Sequence, residues 1–451
     1  MTTSILIRNA CLYGETERDL LIEREHIQQI GEPGTITAPE GSEVIEASGL
    51  IALPGLVDLH VHFREPGFES SETVLTGSRA AAKGGFTTVF AMPNTQPVQD
   101  TAGVVEAVWA LGREAGYCDV HPIGAVTVGQ NGEQLAELAS MANSRAQVRV
   151  FSDDGKCVFD PLIMRRALEY VKAFGGVVAQ HAQDPKLTEG AQMNEGELSA
   201  ELGLGGWPGM AETSIIARDA LLAEMTGSRV HVCHLSTRAS VDVVRFAKQR
   251  GIDITAEVTP HHLLFTEEKV RGFDARFKVN PPLRTDDDTE ALRDALADGT
   301  IDIVGTDHAP HPSDSKQTEW DYASMGMVGL ESALRIVHAT MVNTGRLDWR
   351  GVARVMSETP SQIGQTSDAG QPLEAGSIAN IVLYDAETSS VFTEADLAGK
   401  STNSPYLGLE LPGRVVATIY RGTPTVRDGE VVDTATIATA ARKRAASEAD
   451  S

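Results

Sequence analysis

The sequence contains few cysteines, few aromatic residues and no long apolar run. Its four cysteines (Cys11, Cys118, Cys157 and Cys233) are widely separated, and none belongs to a CxxC pair. This excludes a disulfide framework and a thiolate zinc site, and it fits a reducing cytoplasm. The chain has neither the roughly 20 consecutive apolar residues of a membrane helix nor a basic N-terminus followed by an apolar segment. We therefore expect a cytoplasmic protein, with neither export nor membrane insertion.

Positive charge is also scarce. Lysine and arginine number 38 against 63 aspartates and glutamates, which gives a formal net charge of -25. The field of such a protein repels nucleic acid and anionic membranes, so neither is expected as a partner. A small anionic substrate would need local cations.

The length and composition are those of a folded protein. With 451 residues, 41% hydrophobic and 22% charged, the chain has room for a barrel-sized domain and a smaller one. From 55 to 365, apolar strand-like runs alternate with helical patterns, which indicates parallel βα units. The strand-like runs are 55–62, 87–94, 119–128, 147–155, 175–184, 228–237, 251–262 and 300–310.

Eight such strands predict a (β/α)8 TIM-type barrel over 55–365. A doubly wound open sheet shows the same alternation, but its first strand normally leads into a glycine-rich phosphate loop, and none follows His62. Short strands separated by Gly, Pro and Asp recur in 1–54 and 366–435, and these segments are expected to form one small β domain. The tail 436–451 is expected to be a frayed helix or disordered.

Histidine and aspartate recur where these strands end, which is where barrel enzymes carry their catalytic groups. Because side chains alternate along a strand, His60 and His62 should point to the same side, with Val61 opposite. A lone HxH pair is weak evidence, but three further strand ends with ligand-type residues argue against coincidence. The candidate metal ligands at these strand ends are His60, His62, one of the neighbours Asp153 and Asp154, His181, His234 and Asp307.

Six ligands are more than one tetrahedral ion uses, and imidazole with carboxylate suits zinc or another first-row divalent metal. We therefore expect two such ions per chain. A shared carboxylate would hold them about 3.5–4 Å apart with a bridging water, the expected nucleophile, whose pKa falls toward about 7. Asp307 is expected to bind one ion, or to take the proton of this water and pass it to a leaving nitrogen.

These residues lie in motifs that resemble the amidohydrolase superfamily and, more narrowly, dihydroorotases of the bacterial type I class. The resemblance covers almost the whole chain. The motifs that carry it are PGLVDLHVHFREPG (54–67), GGFTTVFAMPNTQP (84–97), FSDDG (151–155), HVCHLST (231–237), EVTPHHL (257–263), NPPLR (280–284) and GTDHAPH (305–311).

The resemblance implies reversible cyclisation of N-carbamoyl-L-aspartate to L-dihydroorotate, a step of de novo pyrimidine synthesis, in a two-zinc site. It implies that Asp154 bridges the ions, a choice over Asp153 that spacing alone does not make. The other roles that it implies are His60 and His62 on one zinc, His181 and His234 on the other, and Asp307 as catalytic base. The expected substrate-binding positions are His62, Phe63, Arg64, Asn94, Asn280, His311, Met325 and Gly326.

Arg64 supports this substrate independently of the resemblance. It lies two residues beyond His62, where a guanidinium could hold a substrate carboxylate through two hydrogen bonds. The polar segment 311–326 follows Asp307 and suits a mobile loop over the site.

Other conspicuous residues are expected to have supporting roles. His231 and Cys233 have the opposite parity to His234 and should face the helix layer. Asp153 should support the ligands or cap a turn. His261 and His262 are not expected to bind metal, because the ligand set is already complete. Gln183 departs from the family pattern, in which an acidic residue is expected.

Two alternatives remain open. One is a related cyclic amidase, such as a dihydropyrimidinase, hydantoinase or allantoinase, which usually bridges its metals with a carboxylated lysine. The other is an inactive homologue that scaffolds aspartate transcarbamoylase. The expected partner is a small-molecule substrate; a homodimer and an association with aspartate transcarbamoylase are both compatible with the resemblance.

Overall fold

The computed structural model describes residues 4–449, so residues 1–3 and 450–451 of the two predicted terminal segments lie outside the described residues. The strands are β1 (Ser4–Leu12), β2 (Thr16–Glu23), β3 (His26–Gly31), β4 (Glu43–Glu46), β5 (Ile51–Pro54), β6 (Leu56–Val61), β7 (Phe86–Ala91), β8 (Asp119–Pro122), β9 (Val150–Phe151), β10 (Val177–Gln180), β11 (Met193–Asn194), β12 (Gly206–Trp207), β13 (Arg229–Val232), β14 (Ile254–Val258), β15 (Ile303–Val304), β16 (Ile381–Val391), β17 (Glu410–Tyr420), β18 (Thr423–Arg427) and β19 (Glu430–Val431).

Helices occupy most of the connections between the parallel strands. They are α1 (Val74–Lys83), α2 (Ala102–Ala115), α3 (Leu138–Ala142), α4 (Pro161–Lys172), α5 (Glu197–Leu202), α6 (Met210–Thr226), α7 (Arg238–Gln249), α8 (Pro260–Leu264), α9 (Asp286–Asp298), α10 (Ala333–Val337), α11 (Trp349–Ala353), α12 (Thr359–Gly364) and α13 (Thr434–Ala449). Within the described residues, no helix combines the length and apolarity needed to cross a membrane.

The two ends of the chain share one sheet. Its strands follow the order β19-β18-β17-β16-β5-β1-β2-β3, and β4 pairs with β1. The junction is β5, which runs parallel to β1 and antiparallel to β16, with Ala52 opposite Leu383. Residues 51–54 and residues 381–384 lie far apart in the sequence, yet they are hydrogen-bonded neighbours in this sheet.

Eight parallel strands lie between the two halves of this sheet. They pair in the orders β6-β7-β8 and β9-β10-β13-β14-β15. Parallel bridges join the two sets at both ends, from Gly124 to Phe151 and from Val61 to His308. Each strand lies within, or one residue outside, a segment that the sequence predicts, although most are shorter than predicted.

The crossover helices follow from local sequence signals. In α4, the Asp160 side chain accepts hydrogen bonds from the backbone N–H groups of Leu162 and Ile163, and Pro161 occupies the first turn, where its missing N–H costs nothing. The buried side of this helix is formed by Met164, Ala167, Leu168 and Val171. The burial of one apolar stripe holds such a helix against the strands.

Alternate residues of the parallel strands face two different cores. Val61, Val178, Val230 and Val232 belong to the large core shared with the helices. A second cluster contains Val57, Leu59, Ala179 and Cys233, together with Ile363 and Ala369 from the last helical region.

The C-terminal tail, expected to be a frayed helix or disordered, is helical through Ala449 in the described residues. Ile437 of α13 is buried in one cluster with Tyr117 and Val426. Tyr117 also donates a hydrogen bond to the Val432 carbonyl at 2.7 Å. The burial of Ile437 gives the start of the tail an apolar contact that the composition of the tail does not reveal.

Candidate metal centre

All six predicted metal ligands converge at the carboxyl ends of the parallel strands. Asp154 lies at the centre: its carboxylate oxygens are 3.2 Å from His181 Nδ1, 3.2 Å from His234 Nε2, 3.3 Å from His62 Nε2 and 3.5 Å from His60 Nε2. Asp307 lies on one side, with Oδ1 3.1 Å from His62 Nε2 and 3.4 Å from His60 Nε2. All six side chains are buried. Two sets of three donor atoms that lie within 4.8 Å of one another share His60: one adds Asp154 and His234, and the other adds His62 and Asp307.

A bulge in β6 directs the two histidines of the HxH motif toward Asp154. The register with β7 shifts between Asp58 and Val61, and the Asp58 carboxylate accepts a hydrogen bond from the His60 backbone N–H at 3.0 Å. Leu59 consequently faces the inner apolar cluster while the next residue, His60, faces Asp154. In a regular strand, Leu59 and His60 would point to opposite sides. A bulge places two successive residues against one on the neighbouring strand, so that both of these residues face inward.

His234 and Asp307 have backbone conformations that L-residues seldom adopt, with φ of 31° and 48°. The prediction that His231 and Cys233 face the helix layer is wrong, because the unusual φ at His234 breaks the regular alternation of side chains on which it depended. His231 and Cys233 face inward: Cys233 belongs to the inner cluster, and His231 Nε2 lies 3.2 Å from Glu257 Oε2. Strain of this kind persists where the surrounding structure imposes it, and it is concentrated at functional sites.

The outer nitrogen of three of the histidines meets an oxygen acceptor. These pairs are His60 Nδ1 with Glu257 Oε1 at 2.5 Å, His62 Nδ1 with Asn94 Oδ1 at 2.9 Å, and His181 Nε2 with Gln183 Oε1 at 2.7 Å. A ring nitrogen facing such an acceptor carries the proton. When these rings are neutral, as metal binding requires, the other nitrogen of each directs a lone pair toward Asp154.

This arrangement fits a bound cation. His60 Nε2 is buried and has no hydrogen-bond partner among the described residues. His181 Nδ1 and His234 Nε2 lie 2.9 Å apart, and both face the Asp154 carboxylate. Lone pairs and carboxylates that face one another are unfavourable unless positive charge lies between them. The donor set of imidazoles and carboxylates is the one that zinc and related divalent metals use.

The two carboxylates are held in the ionised form that metal binding requires. Burial would raise the pKa of Asp154, but His60, His181 and His234 hold it well below its ordinary value. Burial likewise opposes ionisation of Asp307, yet His60 and His62 lower its pKa to about 2. An ionised Asp307 can accept a proton.

Two residues with direct contacts to these ligands were missed or undervalued by the sequence reasoning. Glu257 on β14 contacts His60 and His231, which hold the pKa of its carboxyl below the ordinary value against the effect of burial. Gln183 accepts from His181 and from Asn280 Nδ2 at 3.0 Å. The only sequence signal for Glu257 was its charge within an apolar strand.

The neighbouring candidates have supporting positions. Asp153 faces away from the cluster and accepts from the backbone N–H groups of Val126 and Thr127 at 2.9 and 3.0 Å, so it caps a turn. His262 contacts the Thr259 hydroxyl at 2.8 Å. Burial lowers the pKa of His261 to about 4, so this ring is neutral at pH 7.

Among the predicted substrate positions, Arg64 and Asn94 lie beside the cluster and Phe63 does not direct its side chain there. Arg64 donates from Nε to the Pro310 carbonyl at 3.2 Å. Burial lowers its pKa to about 10, which still leaves the guanidinium charged at neutral pH. The Phe63 ring packs against Gly77 of α1, where a Cβ atom would lie 2.5 Å from the ring. The Phe63 ring is therefore not available to a substrate.

The remaining positions lie on two segments joined by hydrogen bonds. His311 Nε2 contacts the Met325 carbonyl at 2.9 Å, and the Gly326 N–H donates to the Lys278 carbonyl at 2.9 Å. The segment 311–326, expected to be a mobile loop, is packed here: Trp320 is buried, and Lys316 Nζ donates to the carbonyls of Ala275, Lys278 and Ser324 at 2.9, 3.0 and 2.6 Å.

Comparison with known proteins finds dihydroorotases that match nearly the whole chain. A family model described as Dihydro-orotase-like matches residues 49–240. A dihydroorotase from Leifsonia xyli subsp. xyli is 64% identical over 430 residues, 95% of this chain and 98% of the relative. A dihydroorotase from Mycobacterium tuberculosis is 52% identical over 429 residues, 95% of this chain and 99% of the relative.

Solved structures of related enzymes share the fold. An L-hydantoinase (dihydropyrimidinase) from Arthrobacter aurescens has a TM-score of 0.85 at 24% identity, covering 96% of this chain and 98% of that one. A D-hydantoinase (dihydropyrimidinase) from Thermus sp. has a TM-score of 0.79 at 26% identity, covering 95% and 96%. With curated relatives that match over nearly their whole length, the chain belongs to the dihydroorotase family.

Proposed function

We propose that this protein is a dihydroorotase of the bacterial type I class, which interconverts L-dihydroorotate and N-carbamoyl-L-aspartate in pyrimidine synthesis. The observation that carries the proposal is the position of Arg64, a charged guanidinium beside a convergent cluster of histidines and aspartates. The names of the relatives support the same reaction. The substrate that this arrangement suits is a cyclic amide with a carboxylate.

We further propose that the eight parallel strands form a closed (β/α)8 barrel over 55–365, with 1–54 and 366–435 as the small β domain. The pairing orders and the two linking bridges support a closed ring of strands. The predicted ligands then lie at the carboxyl end of the barrel, the usual place for catalytic groups in this fold.

The proposed cofactor is a pair of Zn²⁺ ions. His60, His62 and Asp307 would hold one ion, His181 and His234 the other, and Asp154 would contact both. When bound, the pair supplies activation of water near neutral pH and polarisation of the substrate carbonyl.

The remaining chemistry is proton transfer by this chain's own residues. In ring opening, water adds to the ring carbonyl and the bond from that carbon to the ring nitrogen breaks. Asp307, ionised and buried, takes a proton from the attacking water and delivers it to the leaving nitrogen. In ring closure the same carboxylate runs these transfers in reverse.

Orientation of the substrate is assigned to Arg64 and the polar residues around it. The guanidinium pairs with the substrate carboxylate, and Asn94 and Asn280 offer amide groups on either side of the cluster. Asn280 Oδ1 is buried without a hydrogen-bond partner in the described part of the chain, so it is free to accept from a ring N–H. Met325 and Gly326 are retained as substrate positions, although the Met325 carbonyl already contacts His311 and the Gly326 N–H already donates to Lys278. The 311–326 loop limits access of bulk water.

A related cyclic amidase is the main competing function. Those enzymes usually require a carboxylated lysine between the metals, whereas Lys156, the nearest lysine in sequence, is exposed and Asp154 occupies the centre. The test compares kcat/KM of the zinc-loaded protein for L-dihydroorotate, dihydrouracil and allantoin. We expect a preference for dihydroorotate; a preference for either other substrate would refute the proposal, and no turnover of any would favour an inactive scaffold.

A further inference from the structure

Glu257 is a buried carboxylate directly beneath the metal centre. Its side chain is 1% exposed. Oε1 lies 2.5 Å from His60 Nδ1 and accepts from the His234 backbone N–H at 3.2 Å. One carboxylate oxygen therefore contacts His60 and His234, which are proposed above as ligands of different ions.

The second oxygen of this carboxylate is also satisfied. Oε2 lies 3.2 Å from His231 Nε2, and His231 Nδ1 lies 2.8 Å from the Thr255 hydroxyl. A neutral imidazole that donates to Glu257 can accept from Thr255, so the contact needs no charged histidine. His231 is thus the support behind Glu257, which explains its inward orientation.

The neighbouring strand leaves space for this carboxylate. A Cβ atom at Gly305 would lie 2.5 Å from Glu257 Oε2 and 2.8 Å from its carboxyl carbon. The same segment continues through Thr306 to Asp307. Because residue 305 has no side chain, the Glu257 carboxylate fits beside the segment that carries Asp307, the predicted catalytic base.

We propose that Glu257 is a positioning residue for the metal centre, fixing the His60 side chain and the His234 main chain with one carboxylate. Its hydrogen bond keeps the proton of His60 on Nδ1 and presents Nε2 to the metal. Its contact with the His234 N–H holds the unusual backbone conformation, with φ of 31°, that turns this ring toward Asp154. The inference rests on the proposed divalent metal centre and assigns a role in holding both ions.

The test measures zinc affinity of the full-length protein by competition with a chelator, for both equivalents of bound zinc. The variants are Glu257→Gln, which keeps shape but removes charge, and Glu257→Ala. Asp19→Asn is the matched control, because Asp19 is a buried carboxylate in the terminal sheet that accepts from two backbone N–H groups. Loss of such a partner of a metal ligand typically weakens metal binding about 10–100-fold.

We expect about 10-fold weaker binding of both equivalents in Glu257→Gln, a larger loss in Glu257→Ala and no change in Asp19→Asn. The glutamine variant decides the matter if the alanine variant does not fold. Unchanged zinc affinity in Glu257→Gln, or weaker binding of only one equivalent, would overturn the proposed role of Glu257 in holding both ions. Failure of the unmodified protein to bind zinc would instead refute the proposed metal centre, on which this inference depends.

Discussion

Asp307 combines contacts to the predicted metal ligands with the ability to accept a proton. Its Oδ1 lies 3.1 Å from His62 Nε2, and its pKa is lowered to about 2. Because an amide cannot act as a base, Asp307→Asn should reduce kcat by about 100-fold or more. Five other predicted ligands remain, so most of the zinc should be retained, as measured by metal analysis. A variant with normal kcat would refute the assignment of the base.

Arg64 should determine affinity for the substrate carboxylate. A hydrogen-bonded charge pair contributes about 1.5–3 kcal/mol, so Arg64→Ala should raise KM for L-dihydroorotate roughly 10- to 100-fold while kcat changes less. Arg64→Lys keeps the charge but loses the planar fork, and it should restore only part of the affinity. Steady-state kinetics of both variants check this; an unchanged KM in Arg64→Ala would show that another group binds the carboxylate.

The sequence was sufficient to predict which six side chains converge, because each lies at the end of a recognisable apolar strand. It was insufficient for Glu257, whose contact with His60 spans 197 residues and depends on which strands face one another. His231 and Cys233 were wrongly predicted to face the helix layer. That prediction assumed that side chains alternate regularly as far as His234, but φ at His234 is 31°, which breaks the alternation.

At the scale of elements, Gly305, which directly follows β15, lies so close to β14 that residue 305 should tolerate no side chain. Gly305→Ala would force its Cβ against the Glu257 carboxylate, and overpacking of this kind costs about 1–3 kcal/mol. Gly329→Ala is the control, since a Cβ atom there would lie 3.6 Å from the Thr306 carbonyl, an ordinary contact.

Urea unfolding in the presence of a chelator isolates this packing effect from metal binding. We expect a lower midpoint for Gly305→Ala and a nearly unchanged one for Gly329→Ala. Equal midpoints for the two variants would mean that Glu257 moves aside without cost.

The 311–326 loop is held by the buried amino group of Lys316, whose pKa burial lowers to about 7. Lys316→Met removes three hydrogen bonds to carbonyls. The loss of even one charge-assisted bond corresponds to roughly 10-fold more frequent local opening. Amide hydrogen exchange in this loop should therefore accelerate by at least about 10-fold, whereas the exposed Lys186→Met should leave it unchanged. Equal protection in both variants would show that Lys316 does not hold the loop.

The strand positions were predictable from apolar runs, whereas their lengths and irregularities were not. The run 300–310 contains a regular strand of only two residues, β15, because the chain then turns through the unusual backbone of Asp307. The bulge in β6 depends on Asp58, which also accepts from the Thr306 N–H on the neighbouring strand. Such a contact between distant segments leaves no local sequence pattern.

At the scale of the whole molecule, the terminal sheet positions the first strand of the metal centre. β5 ends at Pro54 and β6 begins at Leu56, so the strand that carries His60 continues directly from a sheet built by both ends of the chain. Tyr420 from the C-terminal part donates to Asp119 at 2.7 Å. The recurrence of short strands at both ends predicted this association, but not the helical packing of the tail.

The net charge of -25 also bears on function at this scale. An anionic substrate is repelled by the overall field, so its binding has to depend on local positive charge. Arg64 and the proposed zinc pair are the cations at the site. Metal removal should therefore abolish both substrate binding and chemistry.

The most direct test of this account is the hydrolysis of L-dihydroorotate by one preparation of the protein before and after removal of metal. We predict that kcat/KM falls to background after treatment with a chelator and returns when Zn²⁺ is added, with N-carbamoyl-L-aspartate as the product. Undiminished turnover by protein that metal analysis shows to be free of zinc and other divalent ions would contradict the account.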